Sequence, residues 1–180
     1  MSEDPPIECI TREALKSWRI AALARERDGA EASIASEDQL LESRRLVIAD
    51  DGDVSDFWVF GYGSLIYNPI FDHSQRAIAS IYGYHRRFCL WTTIGRGSPD
   101  CPGLVLSLDR GGSCKGIAFQ LNPQNAIAEL DLLWRREMMT LAYKPKILSL
   151  HTEIGLKRGL AFVANTARPA YASRMPFEAT

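Results

Sequence analysis

The run Phe57-Trp58-Val59-Phe60-Gly61-Tyr62-Gly63-Ser64-Leu65-Ile66 constrains the fold more than any other stretch of the chain. Its first four residues are aromatic or β-branched without interruption and read as a buried strand. Gly61-Tyr62-Gly63-Ser64 then stops that strand. Two glycines around one aromatic permit positive φ and let the main chain come close to whatever lies beyond the strand end. Successive N–H groups in such a turn can converge on an anion or a polarised carbonyl. A plain tight turn after a core strand satisfies the same four residues.

The remaining chain sets the context for that turn. At 180 residues it suits one main domain with a full core. A net charge of -1 argues against nucleic acid or an acidic membrane surface as partner. No apolar run approaches the roughly 18 residues of a transmembrane helix. The start, Met1-Ser2-Glu3-Asp4-Pro5-Pro6, is acidic and lacks an apolar core, unlike a secretory signal or an Arg-rich transit peptide. Cys9, Cys89, Cys101 and Cys114 show no C-x-x-C spacing and read as reduced thiols of a cytoplasmic protein. His73, His85 and His151 are too dispersed for metal-ligand spacing, so no metal is expected.

Residues 1–56 read as an N-terminal helical extension. Thr11 caps a helix expected to run through Leu15 and Trp18 to Arg27, stopped at Asp28-Gly29, with Leu15, Trp18 and Ala22 on one face. Ser36 and Gln39 have capping-box spacing ahead of Leu40, Leu41 and Leu46. These helices are expected to be an accessory packed on the main body or on a partner, with a solvated extension as the alternative. From residue 57 onward, strands are expected at 57–60, 77–82, 87–91, 104–108, 116–121, 147–151 and 160–164. Turns are expected at Gly95–Asp100 and Asp109–Gly112. Many short strands with few long helices point to an α+β fold built on a small mixed β-barrel with one inserted helix.

That helix is expected to start with Asn122 as N-cap and Pro123 as its first residue, and to run to Met138. At about 100° per residue, Ile127, Leu130, Leu133, Trp134, Met138 and Leu141 share one arc. Glu137 falls inside that arc, whereas Glu129, Arg135 and Arg136 fall outside. A carboxylate on a core face is costly unless it is paired or used. It reads either as an ion pair with Arg86, Arg87 or another arginine, or as a carboxyl whose pKa is raised for acid/base work. No nucleophile elbow, dinucleotide fingerprint or phosphate loop is present, and no cofactor is implied. What remains is chemistry needing one acid/base, a cluster of main-chain donors and a substrate with its own nucleophile.

Val59-Phe60-Gly61-Tyr62-Gly63-Ser64-Leu65-Ile66, with Gly83–Phe88, Pro102–Val105, Gly116–Phe119 and Trp134-Arg135-Arg136-Glu137-Met138, resembles the ChaC family of glutathione-specific γ-glutamylcyclotransferases. The similarity covers residues 57–180. The resemblance implies a mixed barrel and cleavage of glutathione to 5-oxoproline and Cys-Gly. It implies Glu137 as acid/base and the main chain of Tyr62, Gly63, Ser64 and Leu65 as the binding loop. Tyr143 is a candidate for the substrate's α-carboxylate or amine, with a core tyrosine the plain alternative. Two departures stand out. The family usually has glycine where Leu141 stands, and its domain continues past the point matching Thr180. Two other readings stay open, a cyclotransferase for other γ-glutamyl amines or amino acids and a non-catalytic γ-glutamyl-binding module.

Overall fold

The computed structural model describes residues 10–28 and 34–173. Cys9, the helix stop at Gly29 and the two chain ends, residues 1–9 and 174–180, lie outside the described residues. In chain order the elements are α1 (Arg12–Lys16), α2 (Arg19–Asp28), α3 (Glu37–Arg45), β1 (Trp58–Gly61), α4 (Ser64–Tyr67), β2 (His73–Gly97), β3 (Pro102–Leu121), α5 (Ala126–Glu137), β4 (Tyr143–Thr152) and β5 (Gly155–Ala164).

The strands close a barrel in the order β1-β3-β2-β4-β5. β1 and β3 each pair β5 in parallel, and the other pairings are antiparallel, so the barrel is mixed. Successive residues of β1 are all buried because both faces of the strand are covered. Trp58, Phe60 and Tyr62 join Ala77, Ile81, Leu108, Ala161 and Val163 in one core cluster, which fills the barrel. Val59, Leu160 and Phe162 point the other way, into a second cluster shared with α5 and the N-terminal helices.

Two pairs of expected strands are each one long strand, and the expected turn at Asp109–Gly112 is not a turn. Gly111 and Gly112, both at positive φ, face Gly83 at φ +82, and the register slips between Tyr82 and Tyr84. Two residues opposite one make a bulge, which bends the ribbon instead of ending it. The actual reversal joins Ser98 and Cys101, as expected for the Gly95–Asp100 stretch. Residues 165–172 lie along the arm beyond the bulge, through Trp91 N–H to Ala170 O and Ala172 N–H to Cys89 O.

The first helix is also divided. Thr11 caps it as expected, but Trp18 sits at φ +56 and separates α1 from α2. The break turns Ile20, Ala21 and Ala24 inward, and Ala22 is exposed. The Ser36–Gln39 capping box is present in full. α5 begins at Ala126, three residues later than expected. Asn122 instead closes a turn, its Oδ1 accepting from Gln124 N–H and its carbonyl from Asn125 N–H. Leu130 and Leu133 are fully buried, and the Trp134 ring meets the Phe162 ring edge-on at 5.4 Å.

The N-terminal helices share that core. Leu15, Ile20, Ala35, Leu40 and Ile48 belong to the same cluster as Leu130, Leu133 and Trp134. Arg44, 1% exposed, donates to Asp131, Asp50 and Ile48 O. α5 is thus held between the barrel wall and the helices α1, α2 and α3. No described helix is long and apolar enough to cross a membrane.

Candidate active site

β1 delivers Tyr62 to one end of the barrel, and the chain then turns at once into α4. Gly61 makes this possible: a Cβ there would lie 3.1 Å from the Phe119 ring and 3.2 Å from Leu65 Cβ. Gly63 is the N-cap and makes no side-chain cap bond; Ile66 N–H closes back on Gly63 O, and the N–H groups of Ser64 and Leu65 come before that first bond. A Cβ at Gly63 would meet nothing within 4 Å, which places open space beside this backbone. Leu65 is buried, leaving only its main chain for a ligand. The Tyr62 hydroxyl donates to Phe162 O at 2.8 Å, and its carbonyl accepts from Arg86 Nη1 at 3.3 Å.

Glu137 is the last residue of α5, with its side chain 12% exposed. Its partner is Arg136, whose Nε lies 3.0 Å from Glu137 Oε1. The other expected partners are engaged elsewhere: Arg86 with Tyr62 O and Lys115 O, Arg87 with Asp109 at 2.8 Å. Arg136 is not on a solvated face. Its side chain is 5% exposed, Nη2 donates to Ser64 Oγ at 2.8 Å and Nη1 to Asn68 O. One guanidinium therefore ties the end of α5 to both ends of α4.

Burial raises the Glu137 pKa above the ordinary range, and the Arg136 charge opposes that shift. Tyr143, the first residue of β4, is pushed well up by burial and then by the Glu137 charge. Tyr62 is raised in the same way, by burial, by Tyr143 and by Glu137. The fold thus brings Tyr62, Tyr143 and Glu137 within electrostatic reach of one another, with Ser64 joined through Arg136. Ser107, fully buried, lies beside both Tyr62 and Cys89. Leu141 sits at φ +54, in the left-handed region glycine favours. Asn165 secures this turn by donating to Leu141 O and Ala142 O.

A model of the family described as ChaC-like protein matches residues 57–180. The chain belongs to the ChaC-like family. It is 35% identical over 144 residues to the glutathione-specific gamma-glutamylcyclotransferase of Escherichia coli (strain K12), covering 79% of this chain and 62% of that protein. It is 34% identical over 135 residues to the human glutathione-specific gamma-glutamylcyclotransferase 1, covering 72% of this chain and 61% of that protein. The chain therefore spans about three fifths of the length of these relatives. A crystal structure of a yeast γ-glutamyl cyclotransferase specific to glutathione superposes with a TM-score of 0.61 at 22% identity, covering 68% of this chain and 74% of that one. The barrel fold of the ChaC-like chain is thus shared with that enzyme.

Helix periodicity misassigned two residues. Glu129, expected outside the core arc, is 3% exposed and bonded to Arg12, Asp72 N–H and Asn125. Arg136 reaches the α4 loop only because α5 ends one residue later. The wheel could not show this, since it says nothing of what lies beyond the helix. Among the described residues no His, Cys, Asp and Glu group could hold a metal ion. A cavity of about 460 Å³ opens elsewhere, lined by His85, Arg87, Asp109, Arg110, Thr166 and Tyr171. None of the site residues expected from sequence lines it.

Proposed function

We propose that this chain is a γ-glutamylcyclotransferase that cleaves glutathione to 5-oxoproline and Cys-Gly, with Glu137 as general acid/base. The observation that carries the reading is a single carboxyl, nearly out of water, at a helix end tied by Arg136 to the Tyr62–Leu65 loop. The names of the E. coli and human relatives support the same substrate.

The substrate's α-amine nitrogen attacks its own γ-carbonyl carbon, closing a five-membered ring as the bond to the cysteinyl nitrogen breaks. The α-ammonium loses two protons on becoming the lactam N–H, and the departing amide nitrogen gains two as an ammonium. Glu137, ionised, takes a proton from the first nitrogen and returns it to the second. Its raised pKa suits both halves of that transfer near neutral pH. The main chain of Tyr62, Gly63, Ser64 and Leu65 holds the glutamyl end and the developing oxyanion, a role worth about 3 kcal/mol per donor in other enzymes. Tyr143 orients the α-carboxylate or amine. Because the nucleophile is part of the substrate, the enzyme mainly has to hold the near-attack conformer.

The test is 5-oxoproline formation from reduced glutathione by the chain and by Glu137→Gln. Turnover is expected to fall about 10²–10⁴-fold in the variant, with binding retained. Undiminished Cys-Gly release by Glu137→Gln would remove Glu137 from the mechanism. Faster turnover of γ-glutamyl-alanine than of glutathione would move the assignment to other γ-glutamyl substrates, and binding without turnover would leave a binding module.

A further inference from the structure

The segment between α4 and β2 is unusually constrained. Ile70 sits at φ +60, a conformation that a β-branched residue adopts only where its surroundings hold it. The holding group is Arg12, from the segment before the matched family region. Its Nη1 donates to Ile70 O at 2.5 Å and to Glu129 Oε2 at 2.6 Å, and its Nη2 to Glu129 Oε1 at 2.8 Å. Glu129 in turn accepts from Asp72 N–H at 3.1 Å. Two residues before Ile70, Asn68 Nδ2 donates to Ile10 O at 3.1 Å. The carbonyl of that same Asn68 takes Arg136 Nη1, the guanidinium that also holds Ser64 and Glu137.

We propose that Arg12 and Asn68 are positioning residues, through which Ile10–Arg12 hold α4 and the main-chain donors of Gly63–Leu65 in register with Glu137. Neither residue touches the reacting atoms; both act through the turn that follows the donors. The inference rests on the cyclotransferase reading for its kinetic consequence, and on the geometry alone for the bracing itself. The bracing reaches the site from outside the region common to the family model, residues 57–180.

Arg12→Ala would strand Glu129 as a buried, unpaired carboxylate, so the deciding variants are Asn68→Ala and the double variant Arg12→Met with Glu129→Gln. Each is compared with the parent by amide hydrogen exchange and by steady-state kinetics on glutathione. Expected is exchange at least about tenfold faster confined to residues 64–72, with β3 and β5 unchanged. kcat/KM should fall about tenfold with kcat sharing the loss, because the donors that the turn holds also bear the developing oxyanion. Arg12→Lys, which keeps the charge without the fork, should fall between parent and double variant. Unchanged exchange at 64–72, faster exchange spread over the whole barrel, or unaltered kcat and kcat/KM in both deciding variants would each overturn the proposal. A parent that makes no 5-oxoproline would sink the functional reading instead, and the exchange arm would still decide the bracing.

Discussion

Replacing Arg136 by methionine removes one guanidinium from three acceptors at once: Ser64 Oγ, Asn68 O and Glu137 Oε1. Removing one partner of a buried ion pair costs about 3–5 kcal/mol. The lower end applies, because Glu137 can take up a proton instead of remaining charged and alone. About 3 kcal/mol in a chain of this size lowers Tm by roughly 6–12 °C. The pH dependence is more telling than the size. Glu137 already has a folded-state pKa above its unfolded value, through burial, and Arg136 is what opposes the rise. The native state therefore binds that proton more tightly than the unfolded chain. Its contribution to stability is greatest at low pH and declines as pH climbs from the unfolded through the folded pKa. Without Arg136 the folded pKa moves higher still. The Tm deficit of Arg136→Met should consequently be small in acid and widen towards neutrality. The acidic limb of kcat/KM, which reports the free carboxylate, should move to higher pH. Thermal melts across pH and a pH–rate profile for 5-oxoproline formation read both. A deficit independent of pH, with the acidic limb in its original place, would refute the claim that Arg136 keeps Glu137 charged.

Glu137→Gln, the variant expected to lose turnover, should melt higher than the parent near neutral pH, since it removes a carboxylate whose ionisation burial opposes; equal or lower Tm contradicts that cause. Gly116→Ala would place a Cβ 2.3 Å from Gly61 O and 2.7 Å from the Phe60 ring. Such overpacking costs about 1–3 kcal/mol or more, and a denaturant midpoint equal to the parent's would show that β1 has room to shift. Among the described cysteines, Cys101 is exposed while Cys89 and Cys114 are buried, and burial followed by the Asp109 charge takes the Cys89 pKa to about 11. Alkylation mapped by mass spectrometry should mark Cys101 first and reach Cys89 only on unfolding; early Cys89 modification would indicate that residues 165–172 leave the arm readily.

What the chain discloses by pattern alone is local and one-dimensional. The strand expected at 57–60 lies one residue later, at Trp58–Gly61, buried on both faces, and the Ser36–Gln39 spacing is a capping box because its bonds span three residues. Glu137 stands out because a carboxylate among apolar neighbours breaks the helical period. The glycines at 111 and 112 show where such reading fails, since a bulge and a turn ask for the same residue and only the strand opposite decides between them. The division at Trp18 and the late start of α5 belong to the same class: packing chose where each helix begins and ends. The bonds around the site span long stretches of sequence, Arg136 to Ser64, Asn68 to Ile10, Arg12 to Glu129. Residue pattern was enough to specify a strand ending in a glycine turn, and an acid on the apolar face of a helix. That one arginine joins them, and that Ile10 and Arg12 bond the turn between, is set by packing across the fold, because partners so distant in the chain meet only once the barrel has closed.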